Sequence, residues 1–148
     1  MPKKRIPTVD EMNRVRAAND LLKPVGFKAY FFSKEGIKGA ERPFRLCQAG
    51  RGDACVRYFS ELDAMEAFAH RILSELEAVE KLNVLLKMWD IECMCKIVWD
   101  GNKARYRIFR SVSYGDRGLI EHISLRALES RVQMMIADAQ RQQEAEVA

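Results

Sequence analysis

Long apolar runs are missing from this chain of 148 residues. Nothing in it approaches the roughly 18 consecutive apolar residues that a membrane-spanning helix requires. The opening MPKKRIP lacks the apolar stretch of a secretory signal, so a cytosolic protein with no membrane-bound state is expected. Histidine is scarce: His70 falls beside the apolar stripe of a helix and His122 within an apolar segment, settings that suit packing better than proton transfer. The spacings GxSxG and HExxH do not occur, and GIKG at 36–39 lacks the GxxxxGK[ST] pattern that cradles phosphates. No catalytic residue is nominated, no cofactor is implied and enzymatic activity is not expected.

The four cysteines, Cys47, Cys55, Cys93 and Cys95, sit inside apolar patterns, which in a cytosolic chain points to buried thiols. Cys93 and Cys95 share a strand face but lack the paired CxxC spacing of a zinc site, so no metal is expected.

What is present is an ordinary globular composition, 48% hydrophobic and 31% charged, at the length of one typical domain. The net charge of +4 conceals a segregation: residues 1–60 are strongly basic, residues 61–92 carry eight acidic against three basic side chains, and the remainder is mildly basic. Charge placed this way bears on partners, not on fold.

Thr8 followed by Glu11 is a T-x-x-E capping box, and Val9, Met12, Val15, Leu21 and Leu22 give the stripe of a helix over about 9–22, stopped by Pro24. VGFKAYFFS, 25–33, reads as a strand with Phe27, Ala29 and Phe31 on one face and Lys28, Tyr30 and Phe32 on the other. KEGIKGAERP, 34–43, is a loop; FRLCQ and CVRYF, 44–48 and 55–59, are short strands around AGRGDA. Leu62, Met65, Ala69, Ile72, Leu76, Val79, Asn83 and Leu86 then recur in steps of three and four, the signature of one face of a helix of about 26 residues. Phe68, Leu73, Leu82 and Leu85 widen that face beyond a coiled-coil seam, which suggests a central core helix. Asn83 alone breaks the stripe and marks an expected bend or end.

If Gly101 and Asn102 form a hairpin loop, Ile91, Cys93, Cys95, Ile97 and Trp99 fall opposite Val112, Arg110, Ile108, Tyr106 and Ala104 on a nearly apolar face. The other face carries Glu92, Met94, Lys96 and Val98 opposite Ser111, Phe109, Arg107 and Arg105. LIEHI, 119–123, predicts a further strand, and Ser124 starts a helix bearing Leu125, Leu128, Val132, Met135 and Ala139, with QRQQEAEVA fraying at the end. The fold class is therefore α+β: antiparallel sheet packed on a long central helix, in the order α-βββ-α-βββ-α. One compact domain, 1–148, is expected, or two subunits, 8–88 and 89–148, sharing the central helix. FSELDAMEA, 59–67, and ISLRALES, 123–130, align with one gap, which suggests an internal βββα duplication.

Lys96, Arg105 and Arg107 around Phe109 and Met94 make a sheet face with cations for phosphate and an aromatic ring for stacking, a combination that holds nucleic acid without strong sequence preference. Arg42, Arg45 and Arg57 belong to a second basic cluster and extend the expected footprint. An exposed antiparallel face also carries such cations for solubility alone. The αβββα order of 9–86 resembles the double-stranded-RNA-binding domain, and RYFSELDAMEAFA, 57–69, is similar to AP2-like DNA-binding domains of phage integrases. Glu61 and Asp63 stand where the first family places phosphate-binding lysines, so no functional residue is carried across.

The expected function is that of a small accessory or regulatory protein that binds DNA or RNA through this face. The alternative is a protein-binding adaptor or inhibitor of a nucleic-acid-handling machine of phage or mobile-element type, using Phe109, Met94 and the Met134–Met135 pair. The helix over 124–140 is a candidate homodimer face.

Overall fold

The computed structural model describes residues 6–32, 42–49, 55–100, 103–110 and 120–147. The expected loop at 34–43 therefore lies largely outside the described residues, as do the hairpin loop at 101–102, Ser111, Val112 and Arg51. The order is α1 (Val9–Leu22), β1 (Phe27–Phe31), β2 (Phe44–Gln48), β3 (Cys55–Phe59), α2 (Leu62–Met88), β4 (Cys93–Asp100), β5 (Lys103–Arg110), β6 (Ile120–His122) and α3 (Leu125–Val147). The expected α-βββ-α-βββ-α fold is what the chain adopts. β1–β2–β3 form one antiparallel sheet (sheet 1) and β4–β5–β6 another (sheet 2). The chain divides into two compact units, residues 1–74 and 75–148, with the division inside α2.

In the first unit the capping box closes as read: Glu11 N–H donates to Thr8 Oγ1 at 3.1 Å and Thr8 N–H to Glu11 Oε1 at 3.0 Å, satisfying two orphan donors of α1. Pro24 lies in a single 3₁₀ turn that ends on Gly26 at φ +84°, so β1 starts at Phe27, later than the composition suggests. Val15, Ala18 and Leu22 of α1, Phe27 and Ala29 of β1, Phe44 and Leu46 of β2, and Leu62, Met65, Ala69 and Ile72 of α2 are all buried. Arg14 on α1 pairs with Asp63 and Glu66 at the start of α2, and the two carboxylates raise its already high pKa. Between β2 and β3 the register shifts after Leu46↔Arg57 to Cys47↔Cys55, leaving Val56 as the extra residue of a bulge.

In the second unit the β4–β5 register is the one the alternation requires: Cys93↔Arg110, Met94↔Phe109, Cys95↔Ile108, Lys96↔Arg107, Ile97↔Tyr106, Val98↔Arg105 and Trp99↔Ala104. Cys95, Tyr106 and Ile108 are buried with Val79, Leu82 and Leu86 of α2 and Leu128, Val132 and Ile136 of α3. The apolar stripe of α3 is thus taken up within its own unit, and among its methionines Met134 is the one left exposed.

One expectation needs correction: α2 does not end at Asn83 but runs on to Met88. It ends where Asp90 takes φ +53°, with Ile91 N–H donating to Leu86 O at 2.9 Å and Asp90 N–H to Lys87 O at 3.1 Å, a Schellman cap whose flanking apolar residues, Leu86 and Ile91, join the core. Asn83 is instead turned toward β4: Cys95 N–H donates to its Oδ1 at 2.6 Å and its Nδ2 donates to Cys95 O at 3.1 Å. α3 extends through its polar end to Val147, carried by good helix formers such as Gln, Glu and Ala and by an Arg141–Asp138 pair.

The two units repeat one layout. Val15, Ala18, Asn19 and Leu22 of α1 recur at identical spacing as Val79, Leu82, Asn83 and Leu86 of α2, with the same three positions buried. Asn19 Oδ1 accepts from Ala29 N–H at 3.1 Å, and Ala29, like Cys95, is the third residue of an edge strand. After each sheet, Met65 and Ala69 of α2 match Leu128 and Val132 of α3, all buried.

Candidate nucleic-acid interface

Alternation along β4 and β5 turns Cys95, Tyr106 and Ile108 inward because the second core needs them, and this leaves Lys96, Arg105, Arg107 and Phe109 on the outward face. Lys96 lies directly across from Arg107, and Phe109 directly across from Met94, which is 37% exposed. The structure therefore brings these four nominated residues together on one surface.

That surface also holds an anion. β6 pairs with β5 so that Arg107 faces Glu121. Arg107 Nε donates to Glu121 Oε1 at 2.6 Å, and Arg105 Nη1 lies 3.5 Å from Glu121 Oε2. The hydrogen bond from Arg107, followed by the more distant charge of Arg105, holds the Glu121 carboxyl below the ordinary glutamate range although the group stays open to solvent. Sequence reasoning missed Glu121 because its partner across the strand follows from the β5–β6 register, which the SVSYGDRG connection does not fix.

Arg42, Arg45 and Arg57 belong to the first unit, and they are not gathered on one surface. Arg45 lies on the outward face of sheet 1, across from Tyr30 on one side and Tyr58 on the other. Its guanidinium carbon sits 4.3 Å from the Phe32 ring centre and 4.8 Å from that of Tyr58, a double cation–π contact. Its Nε and Nη2 are shielded from solvent and have no hydrogen-bond partner among the described residues. Lys28 joins the same face with its ammonium 5.6 Å from the Tyr30 ring. Arg57 is on the opposite face, one register step along at Leu46, with its guanidinium carbon 4.9 Å from the Phe68 ring of α2. Arg42 is exposed just ahead of β2.

Tyr30, Phe32 and Tyr58 were not nominated from sequence. The period-2 pattern of β1 already places Lys28, Tyr30 and Phe32 on one face, but bringing Tyr58 there depends on the β2–β3 register and its bulge.

Burial pushes the thiols of Cys93 and Cys95 up, Cys95 to about 11, with its neighbour's charge adding to the effect. They are therefore poor nucleophiles near neutral pH. Among the described residues no group of three His, Cys, Asp or Glu side chains is placed to hold a metal, and no helix is long and apolar enough to cross a membrane. No protein-family model matches the chain, and no curated protein or solved structure matches it either.

Proposed function

We propose that this protein is a non-enzymatic accessory or regulatory protein that contacts the backbone of DNA or RNA through the outward face of sheet 2. One observation carries this: two guanidinium groups, of Arg105 and Arg107, converge on a single carboxylate at a solvent-open site beside Lys96. An arrangement that holds a carboxylate by two guanidiniums also suits a phosphodiester, which offers two oxygens of like geometry and charge. Lys96 and the two arginines neutralise phosphates and release counterions, while Phe109 with Met94 supplies an apolar surface for a base or sugar. Contacts of this kind position a strand without reading its sequence.

The second reading, an adaptor or inhibitor that binds protein, draws support from the same face. Met94 and Phe109 form an apolar cross-strand pair there, and Glu121 interrupts the cations, a mixture common at protein interfaces.

Fluorescence anisotropy against single- and double-stranded DNA and RNA at two salt concentrations separates the two. Binding on the order of micromolar that weakens steeply with salt is expected. Arg105→Gln with Arg107→Gln should abolish it while moving the thermal midpoint by only a few degrees, because exposed substitutions cost little stability. Glutamine is the proper replacement, since glutamate at both positions would crowd three carboxylates together around Glu121. No binding at low salt would sink the proposal and turn attention to a protein partner.

A further inference from the structure

We infer that Glu121 is a built-in competitor for nucleic-acid phosphate, occupying the Arg105–Arg107 site until a phosphodiester displaces it and so setting the affinity of the face. This rests on the phosphate-binding reading above and names the residue that governs it.

Three observations support it. The first is geometric. Each oxygen of one carboxylate meets a different arginine, at 2.6 and 3.5 Å, so the carboxylate stands where the two non-bridging oxygens of a phosphodiester would stand. The second is access. The side chains of Arg105, Arg107 and Glu121 are 41%, 31% and 43% exposed, so a phosphate reaches the pair without unfolding anything, and an exposed ion pair of this kind is weak enough to exchange.

The third comes from the other unit. Arg45 occupies in sheet 1 the position that Arg107 occupies in sheet 2: middle strand, outward face, one residue before the buried Leu46 or Ile108 that pairs with Ala29 or Cys95. Its neighbour on the third strand, at the position of Glu121, is Tyr58. The layout therefore closes with a neutral aromatic residue at this place, and an acid there is not a requirement of the fold. Its effect is local: it occupies two cations on the face where Lys96 has no acidic partner among the described residues.

The test compares wild type, Glu121→Gln, Glu121→Tyr and the double glutamine variant of Arg105 and Arg107, all in the full chain. Each is titrated by anisotropy into a fluorescent single-stranded and a duplex oligonucleotide at two salt concentrations, with a thermal melt for each protein. Glu121→Gln should tighten binding several-fold and steepen the slope of log affinity against log salt by about one, because the same phosphate then meets cations that no internal anion has already neutralised. Glu121→Tyr, which copies the solution of sheet 1, should do the same and serves if the glutamine variant folds poorly. Should wild type bind and the double arginine variant fail while both Glu121 variants match or fall below wild type, the competitor role is overturned and the phosphate-binding face survives. Should no protein in the set bind either oligonucleotide at low salt, both are overturned.

Discussion

Arg45 and Arg107 occupy the same place in two sheets of the same layout, yet one is stacked between aromatic rings and the other is paired with a carboxylate. The middle strand of a three-stranded meander offers its outward side chain neighbours on both flanking chain segments, directly across and on the diagonal. Tyr30 and Tyr58 flank Arg45; Lys96 and Glu121 flank Arg107. The lesson is that the fate of a surface cation in such a sheet is settled by the side chains that the flanking segments bring beside it rather than by its own strand. Arg45 gains from desolvated cation–π contact, whereas Arg107 sits in an ion pair that stays exchangeable with external anions.

The comparison breaks most visibly through the cores beneath the two arginines. Leu46→Ala and Ile108→Ala each remove a fully buried side chain from the middle strand, and each should cost about 2–5 kcal/mol. Both tryptophans, Trp89 and Trp99, belong to the second unit, so urea unfolding followed by tryptophan emission should register Ile108→Ala strongly. Leu46→Ala should move the far-UV circular dichroism more than the emission.

A middle-sized effect is expected at the helix asparagines. Asn83→Ala withdraws two hydrogen bonds from Cys95 and Asn19→Ala one from Ala29, so losses of about 1–3 kcal/mol and about 1 kcal/mol respectively are expected. Hydrogen exchange should show the Cys95 and Ala29 amides losing protection first. Equal and negligible losses would mean that the edge contacts are incidental.

The smallest effect concerns pH. Because Glu121 has a lowered folded-state pKa, its pair with the arginines contributes above the unfolded glutamate value and is lost as pH falls through the folded one. A carbon-13 titration of the Glu121 carboxyl should find its midpoint below the ordinary glutamate range and should find it moved up in Arg107→Gln. An unmoved midpoint would remove Arg107 as the cause.

Sequence pattern reached far in this chain where a local rule was decisive. The Thr8–Glu11 box, the two strands at 44–48 and 55–59 and the whole β4–β5 register follow from capping, turn chemistry and period-2 alternation, each of which acts over a few residues. Asn83 misled because a polar residue on an apolar stripe looks the same whether it ends a helix or serves a strand twelve positions on. The end at Asp90 was hidden because a left-handed cap on a residue other than glycine leaves little trace in sequence. In the candidate site, the grouping of Lys96, Arg105, Arg107 and Phe109 was legible from the hairpin. Glu121 and Tyr58 were not, since each enters through a third strand whose register depends on a long connection or a bulge.

The asparagine contacts also bear on how the chain behaves in company. An edge strand displays unpaired backbone groups that invite a strand from another molecule. At Cys95, both the donor and the acceptor are already taken by Asn83, and at Ala29 the donor is taken by Asn19. A leucine at position 83 would complete the apolar stripe of α2 and suit a helix better, but it would uncover the middle of β4. The break in the stripe thus works as a guard against edge-to-edge aggregation, a safeguard whose value grows with protein concentration.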